Sequence, residues 1–359
     1  MEIPQHWVRV EGFSPHLGER GGLLSVWGWS ETSDQDAERV GRERLAETLA
    51  RIEREGRLAP GHGYYPRTPL REPLLEEVAP VEGEDGRLGV VTRNRMGCEV
   101  LCTESLLIAD VDVEELAAEA DARGRRGRRR GSGSPVVTGG GGAGLGSLLR
   151  RVVFGRSDPT PMAPGTQDAA GLDEPPGLAH PSGYEAYPSD EGGSGLRVTA
   201  TGPERPSVVE CLAAEPAWEL ARAHPGLGVR VYRTAAGLRV IVTGADAAPG
   251  SERARDILTA LGTDPLYLEL CATHANYRAR LTPKPFRVGM PALPVRWPCA
   301  DEAEERRWLR WVDEYERAAA GSAVCRLVSA SGPVPSASEQ RLVELHDERT
   351  GVGLRLPLA

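Results

Sequence analysis

The chain has 359 residues, enough for one large domain or two of ordinary size, and its 40% hydrophobic content is enough for a core. The formal net charge of −9 argues against a general coat of positive charge for duplex DNA, although it permits a local basic groove. The six cysteines form no CxxC pair and no Cys/His grouping with zinc-finger spacing, so we expect no structural zinc.

The N-terminal residues lack the pattern of a signal peptide, and no apolar run approaches the roughly 18 residues of a membrane span. We therefore expect a reduced, cytoplasmic protein without a membrane partner. Along the chain, period-two alternation predicts strands over 8–13 and 22–29, with Trp27 and Trp29 on one face. A long amphipathic helix is predicted to follow, to about Arg57. We expect residues 1–87 to form an α/β extension that packs on the core.

The sequence is strand-like from about 88 to 113, with a turn at 93–97, and a helix is predicted to start at Glu114. The next stretch, 123–204, opens with six arginines at 123–130 and is rich in Gly, Ser and Pro. Its few apolar residues cannot offset the entropy of ordering it, so we expect a disordered insert. The core is then expected to comprise 88–122 and 205–359.

Order is predicted to return near 205 with a series of short elements. They are a helix over 207–223, strands over 229–234 and 238–243 joined by a hairpin, a helix over 251–261, a strand over 266–271, a helix over 302–320 and a strand over 325–329. Without the insert, the order is βαββαβ, which predicts an α+β, RRM-like core with a mainly antiparallel sheet. In the helix over 302–320, Trp308, Trp311 and Tyr315 have helical spacing, and we expect them to be core residues.

An apolar run ends in Asp110-Val111-Asp112. Side chains alternate along a strand, so the two carboxylates point to the same side. Oxygen ligands of this kind suit Mg²⁺ or Mn²⁺, which makes Asp110 and Asp112 candidate metal ligands. The alternative is that Asp112 or a neighbour caps the next helix and that Asp110 is merely solvated.

Two further stretches carry candidate phosphate-binding residues. Arg233 and Arg239 flank the predicted hairpin, where arginines can contact phosphate in bidentate fashion, although an ordinary polar hairpin has the same pattern. In the stretch 276–287, the candidates are Arg278, Arg280, Lys284 and Arg287. Lys284 is the only lysine among 43 lysines and arginines, in a composition that favours arginine. Two prolines stiffen the backbone around it, as a fixed phosphate contact requires, although a solvated edge segment is the alternative.

Together these motifs resemble the catalytic core of archaeo-eukaryotic-type primases and primase-polymerases. The run that ends at Asp112 matches the first motif of that family, and Gly237-Leu238-Arg239 occupies the place of the second, where the family has a histidine. For the third, acidic motif, the candidates are Glu269 and Asp264. The resemblance implies an RRM-like core and a bound Mg²⁺ or Mn²⁺. It also implies catalytic roles for Asp110, Asp112 and Arg239, with Glu269 as a possible third metal ligand.

The expected function is metal-dependent nucleotidyl or phosphoryl transfer on nucleotides or nucleic acid. The alternative is a non-catalytic module that binds a nucleotide or nucleic acid on the same fold, in which Arg239 in place of the histidine has removed the chemistry. A third possibility is a structural protein that binds a partner through the Trp27/Trp29 strand and the C-terminal helix. A third carboxylate near Asp110 and Asp112 distinguishes the enzyme from the binding module.

Overall fold

The computed structural model describes residues 1–17, 21–55, 69–83, 85–113 and 208–359. Within these ranges, helices are combined with antiparallel sheets, which confirms the predicted α+β class. The predicted insert, 123–204, and the helix expected to start at Glu114 lie outside the described residues.

The first part of the chain is a two-stranded ribbon covered by a helix. Its elements are β1 (His6–Ser14), β2 (Gly22–Ser30) and α1 (Asp34–Glu55). Leu24, Val26 and Ile52 are buried between the ribbon and the helix. Gly28 permits their close approach, because a Cβ atom there would lie 1.9 Å from the carbonyl oxygen of Ala37. The two strands and the helix predicted for this region are therefore confirmed.

Eight further strands form two four-stranded sheets. They are β3 (Leu74–Val78), β4 (Gly89–Arg93), β5 (Glu99–Thr103), β6 (Leu107–Asp112), β7 (Gly228–Arg233), β8 (Gly237–Thr243), β9 (Tyr277–Arg280) and β10 (Arg326–Ser331). One sheet has the order β3-β4-β5-β9 and the other the order β10-β7-β8-β6, and every pairing within them is antiparallel.

The second sheet contains a split βαβ arrangement. Strands β6 and β7 are both antiparallel to β8, which lies between them, so they run parallel to each other. Helix α2 (Val208–Ala223) lies in their connection and contacts β7 and β8. The RRM-like order is not confirmed. In this sheet β6 lies at the edge, and β10 pairs with β7 rather than with β6.

Four more α-helices and a short 3₁₀ helix complete the described part of the chain. They are α3 (Glu252–Ala260), α4 (Pro265–His274), the 3₁₀ helix (Pro285–Val288), α5 (Glu302–Ala319) and α6 (Ala337–Thr350). The strand predicted over 266–271 is wrong, because α4 occupies this range. Asp264 caps the helix by accepting a hydrogen bond from the backbone N–H of Leu266, and Pro265 stands at its first position.

Both sheets contribute to one hydrophobic core. Val91 and Leu101 of the first sheet, Ile108 and Ile241 of the second, and Leu342 of α6 belong to the same buried cluster. This packing brings the ends of β6, β8 and β9 together. No helix in the described ranges is long and apolar enough to cross a membrane.

Candidate functional site

Asp110 and Arg239 form a buried ion pair where β6 and β8 meet. The strand register places them directly opposite each other, so their side chains share one face of the sheet. Nε of Arg239 donates to Oδ1 of Asp110 at 2.8 Å and Nη2 donates to Oδ2 at 3.2 Å. Only 5% of Asp110 and 1% of Arg239 are exposed. Asp110, a predicted metal ligand, is thus held in a bidentate contact with Arg239, a predicted phosphate-binding residue.

Arg239 also connects this pair to the rest of the core. Its Nη1 donates to the backbone carbonyl of Arg280 at 2.8 Å, which joins β8 to the end of β9, and it lies 3.3 Å from Nε2 of His346. Burial lowers the pKa of His346, so we assign a neutral ring whose Nε2 accepts from Arg239. The other ring nitrogen, Nδ1, then donates to Asp347 at 2.9 Å. The ion pair is therefore one part of a continuous buried network.

Charge complementarity keeps Arg239 protonated in this setting. Burial, the largest single effect, would lower the pKa of its guanidinium, but the neighbouring groups together, with the Asp110 carboxylate first among them, outweigh burial and raise it. A buried charge without such a partner is costly, so each member of the pair depends on the other.

Asp112 is exposed at the end of β6, in contrast to Asp110. Loss of water around its carboxyl group raises the pKa of Asp112 to about 7, and the negative charges of Asp110 and Asp264 act in the same direction. The positive charges of Lys284 and Arg280 act against this rise. Asp112 therefore lies within electrostatic range of both the acids and the cations of the site.

Four basic side chains line a small cleft beside the ion pair. We call it the cationic cleft and define it by Arg239, Arg280, Lys284 and Arg287. The lining is completed by Thr234, Ala235, Thr282, Pro283, Val324 and Ala359, so that no Asp or Glu of the described chain takes part.

Lys284 is 4% exposed, and its ammonium group lies 6.0 Å from the centre of the Phe286 ring. Arg280 carries a buried Nη2 for which the described residues provide no hydrogen-bond acceptor.

A second small cleft adjoins the first, and Arg280 lines both. We call it the central cleft and define it by Asn94, Asp110, Tyr267, Arg278 and Arg280. Nη2 of Arg278 pairs with both carboxylate oxygens of Glu72, at 2.7 and 2.8 Å. Oδ1 of Asn94 accepts from the backbone N–H groups of Met96 and Cys98, which fixes the turn predicted at 93–97.

The structure brings most of the predicted site residues together. Asp110, Asp112, Arg239, Arg280, Lys284 and Arg287 gather around the cationic cleft, and Arg278 lines the central cleft. Arg233 does not join them. It pairs with Leu238 in the register, next to Arg239, so it projects from the opposite face and forms an ion pair with Glu210 of α2 at 2.9 Å.

The structure gives limited support to Glu269 or Asp264 as the third acid of the expected metal site. Glu269 is an exposed residue of α4, and the Asp264 side chain caps that helix. Across the described ranges, no three His, Cys, Asp or Glu side chains lie close enough together to hold a metal ion. The catalytic and metal-binding roles of Asp110 and Asp112 remain predictions.

Sequence reasoning did not identify Glu72, His346 and Asp347 as partners of the site. His346 and Asp347 lie on α6, which we had not predicted. Its start is nevertheless encoded by a capping box, in which Ser336 and Glu339 exchange hydrogen bonds, and Gly351 ends it in a left-handed conformation. Glu72 carries no local signal, because its partner Arg278 is 206 positions away.

No protein-family model, curated protein or solved structure matches the chain. The resemblance to the primase core therefore remains an expectation from the motifs.

The two predicted metal ligands differ in what they do for the fold. Asp110→Asn leaves Arg239 charged and buried without its partner, so we expect the free energy of unfolding to fall by about 3–5 kcal/mol. Asp112→Asn is the matched comparison: the raised pKa of Asp112 means that its ionised form disfavours the fold, so at neutral pH we expect no fall in the free energy of unfolding. Denaturant unfolding followed by circular dichroism measures both.

A double-mutant cycle adds the variants Arg239→Met and Asp110→Asn/Arg239→Met. The double variant leaves no unpaired buried charge, so we expect it to lose less stability than the sum of the losses in Asp110→Asn and Arg239→Met. Equal stability of the wild type and Asp110→Asn would contradict a structural ion pair.

Proposed function

We propose that the protein binds a phosphate-bearing ligand, a nucleotide or a nucleic acid, in the cationic cleft. The observation that carries the proposal is the convergence of Arg239, Arg280, Lys284 and Arg287 on one small cleft. Asp110 and Asp112 are among the acids near these four cations.

The charge balance favours an anion in this cleft. Asp110 is engaged by Arg239, and Asp112, whose pKa is raised to about 7, is only partly ionised at neutral pH. Like charges that are crowded together in a partly dehydrated cleft destabilise one another, and a bound anion removes that cost. The lining itself, within the described residues, contributes four positive side chains and no Asp or Glu side chain.

The types of donor favour phosphate in particular. Arginine offers a planar fork of N–H groups and lysine a compact charge, a combination that suits the oxygens of a phosphate. Nη2 of Arg280 is buried and has no protein acceptor among the described residues, so a phosphate oxygen would satisfy it. The hydroxyl groups of Thr234 and Thr282 lie in the same lining.

Binding is better supported than metal-dependent catalysis because the carboxylate of Asp110 is already engaged by Arg239. A catalytic metal needs carboxylate oxygens that are available, whereas both oxygens of Asp110 accept hydrogen bonds from Arg239. Asp264 is likewise used as a helix cap. Asp110 and Asp264 therefore fit a divalent cation poorly.

Metal-dependent nucleotidyl or phosphoryl transfer is the second candidate, and one observation favours it. The pKa of Asp112 is raised to about 7, first by loss of water and then by the charges of Asp110 and Asp264. The three acids therefore interact electrostatically at the end of β6. Clustered acids with perturbed pKa values are typical of functional sites. In this candidate function, Mg²⁺ or Mn²⁺ would be required for a triphosphate to bind.

Removal of one charge from the cleft tests the proposal. We expect Lys284→Gln to weaken binding of inorganic triphosphate by roughly 10- to 100-fold, because a charge-assisted hydrogen bond is lost. Arg287→Gln, at a less buried position, should weaken it in the same direction, and it keeps the test valid if Lys284→Gln fails to fold.

Arg222→Gln is the control, since it removes one positive charge from the exposed surface of α2. Isothermal titration calorimetry measures all three variants beside the wild type. If inorganic triphosphate binds the wild type and both cleft variants equally well, the cationic cleft is not its site.

The pH dependence of binding provides an independent test. The pKa of Asp112 lies above its unfolded value, at about 7, so the carboxylate ionises as pH rises through neutrality. Its negative charge then opposes an incoming anion, and we expect the affinity of the wild type to fall severalfold relative to that of Asp112→Asn. Taking the ratio of the two affinities at each pH cancels the ionisation of the ligand itself. A ratio that is constant from acid to alkaline pH would contradict this assignment.

A further inference from the structure

A third small cleft is lined by both arginine and tryptophan side chains. We call it the tryptophan cleft and define it by Arg71, Arg93, Arg95, Arg296, Trp297 and Trp308. The loop before α5 supplies Trp297, and α5 itself supplies Trp308. From sequence we expected Trp308 to be a core residue together with Trp311 and Tyr315. Only the latter two are deeply buried, whereas Trp308 lines this cleft and keeps part of its surface exposed.

The lining contains buried donors that the described protein groups do not satisfy. Nε of Arg93 and Nε1 of Trp308 are both buried and have no hydrogen-bond acceptor within the described ranges. Buried N–H groups in folded proteins are nearly always paired with protein, water or a ligand, so these two donors are available to a ligand that supplies oxygen acceptors. The other nitrogens of Arg93 are engaged by Gly97, Glu99 and Glu316, which fixes its position.

The three clefts adjoin one another through shared residues. Asn94 lines both the tryptophan cleft and the central cleft, and Arg280 lines both the central cleft and the cationic cleft. Asn94 is 2% exposed, and its side chain is fixed by the turn that it caps. We call these three neighbouring clefts together the path; arginines line each of them, and Trp297 and Trp308 line one of them.

We propose that this path binds single-stranded nucleic acid, with phosphates at the arginines and bases stacked on Trp297 and Trp308. This inference rests on the proposed function, because it takes the cationic cleft as a phosphate site. Basic grooves with interleaved aromatic rings are the usual means of holding unpaired strands, since every base has a flat face that can stack. In a duplex the bases already stack on one another, and clefts this small do not admit it.

The test compares an oligonucleotide with a mononucleotide. Fluorescence anisotropy is measured with a labelled single strand of roughly 12 nucleotides, a length within the range that single-strand binding modules cover. A hairpin duplex of the same sequence and an unlabelled nucleoside triphosphate serve as competitors. We expect the single strand to bind more tightly than either competitor.

Variants of the tryptophan cleft separate this inference from the proposed function. Trp297→Ala should weaken single-strand binding by roughly 5- to 150-fold through the loss of base stacking, and Trp297→Phe should retain most of it. Both should leave triphosphate affinity unchanged. Arg296 is exposed, so Arg296→Gln should fold, and it should reduce the slope of log affinity against log salt by about 0.7. Arg222→Gln, the control on α2, should not change that slope.

The inference is overturned if the single strand binds no more tightly than the triphosphate or the duplex, or if Trp297→Ala and Arg296→Gln both bind it like the wild type. If the triphosphate binds in those cases, the proposed function stands without the inference. If neither the triphosphate nor the single strand binds to folded protein, both fail.

Discussion

Two opposite charges removed from water, the Asp110 carboxylate and the Arg239 guanidinium, determine how the centre of this structure is arranged. Neither charge is tolerable in the core alone, so strands β6 and β8 must pair in the register that brings the two together. Arg239 then extends the constraint, because it also contacts the carbonyl of Arg280 and the ring of His346. Through these contacts the second sheet is fixed against β9 and against α6.

The same constraint shapes the site. Arg239 is held on one side by Asp110 and lines the cationic cleft on the other, so a structural residue also contributes charge to the cleft. Arg280 and Lys284 come from the segment that Arg239 anchors, and both contribute charge beside Asp112. Asp110, which sequence alone suggests as a metal ligand, thus orients Arg239 in the folded structure. This contact supports the proposed binding function.

Much of this arrangement could be predicted from local patterns. The apolar run before Asp110, the hairpin before Arg239 and the rare Lys284 all indicated one site, and their side chains do lie together. The short apolar run at 266–271 was misassigned, because periodicity alone does not separate a short strand from a buried helix. The pairing of Asp110 with Arg239 spans 129 positions, and only the folded structure reveals such a long-range contact.

One measurement tests the central claim most directly. The purified protein is titrated calorimetrically with a nucleoside triphosphate, first in the presence of a chelator and then in the presence of Mg²⁺ or Mn²⁺. If the cationic cleft itself recognises phosphate, the triphosphate binds without metal, and the affinity does not depend on adding it. Binding that occurs only with the metal would contradict this account and would restore Asp110 and Asp112 as its ligands.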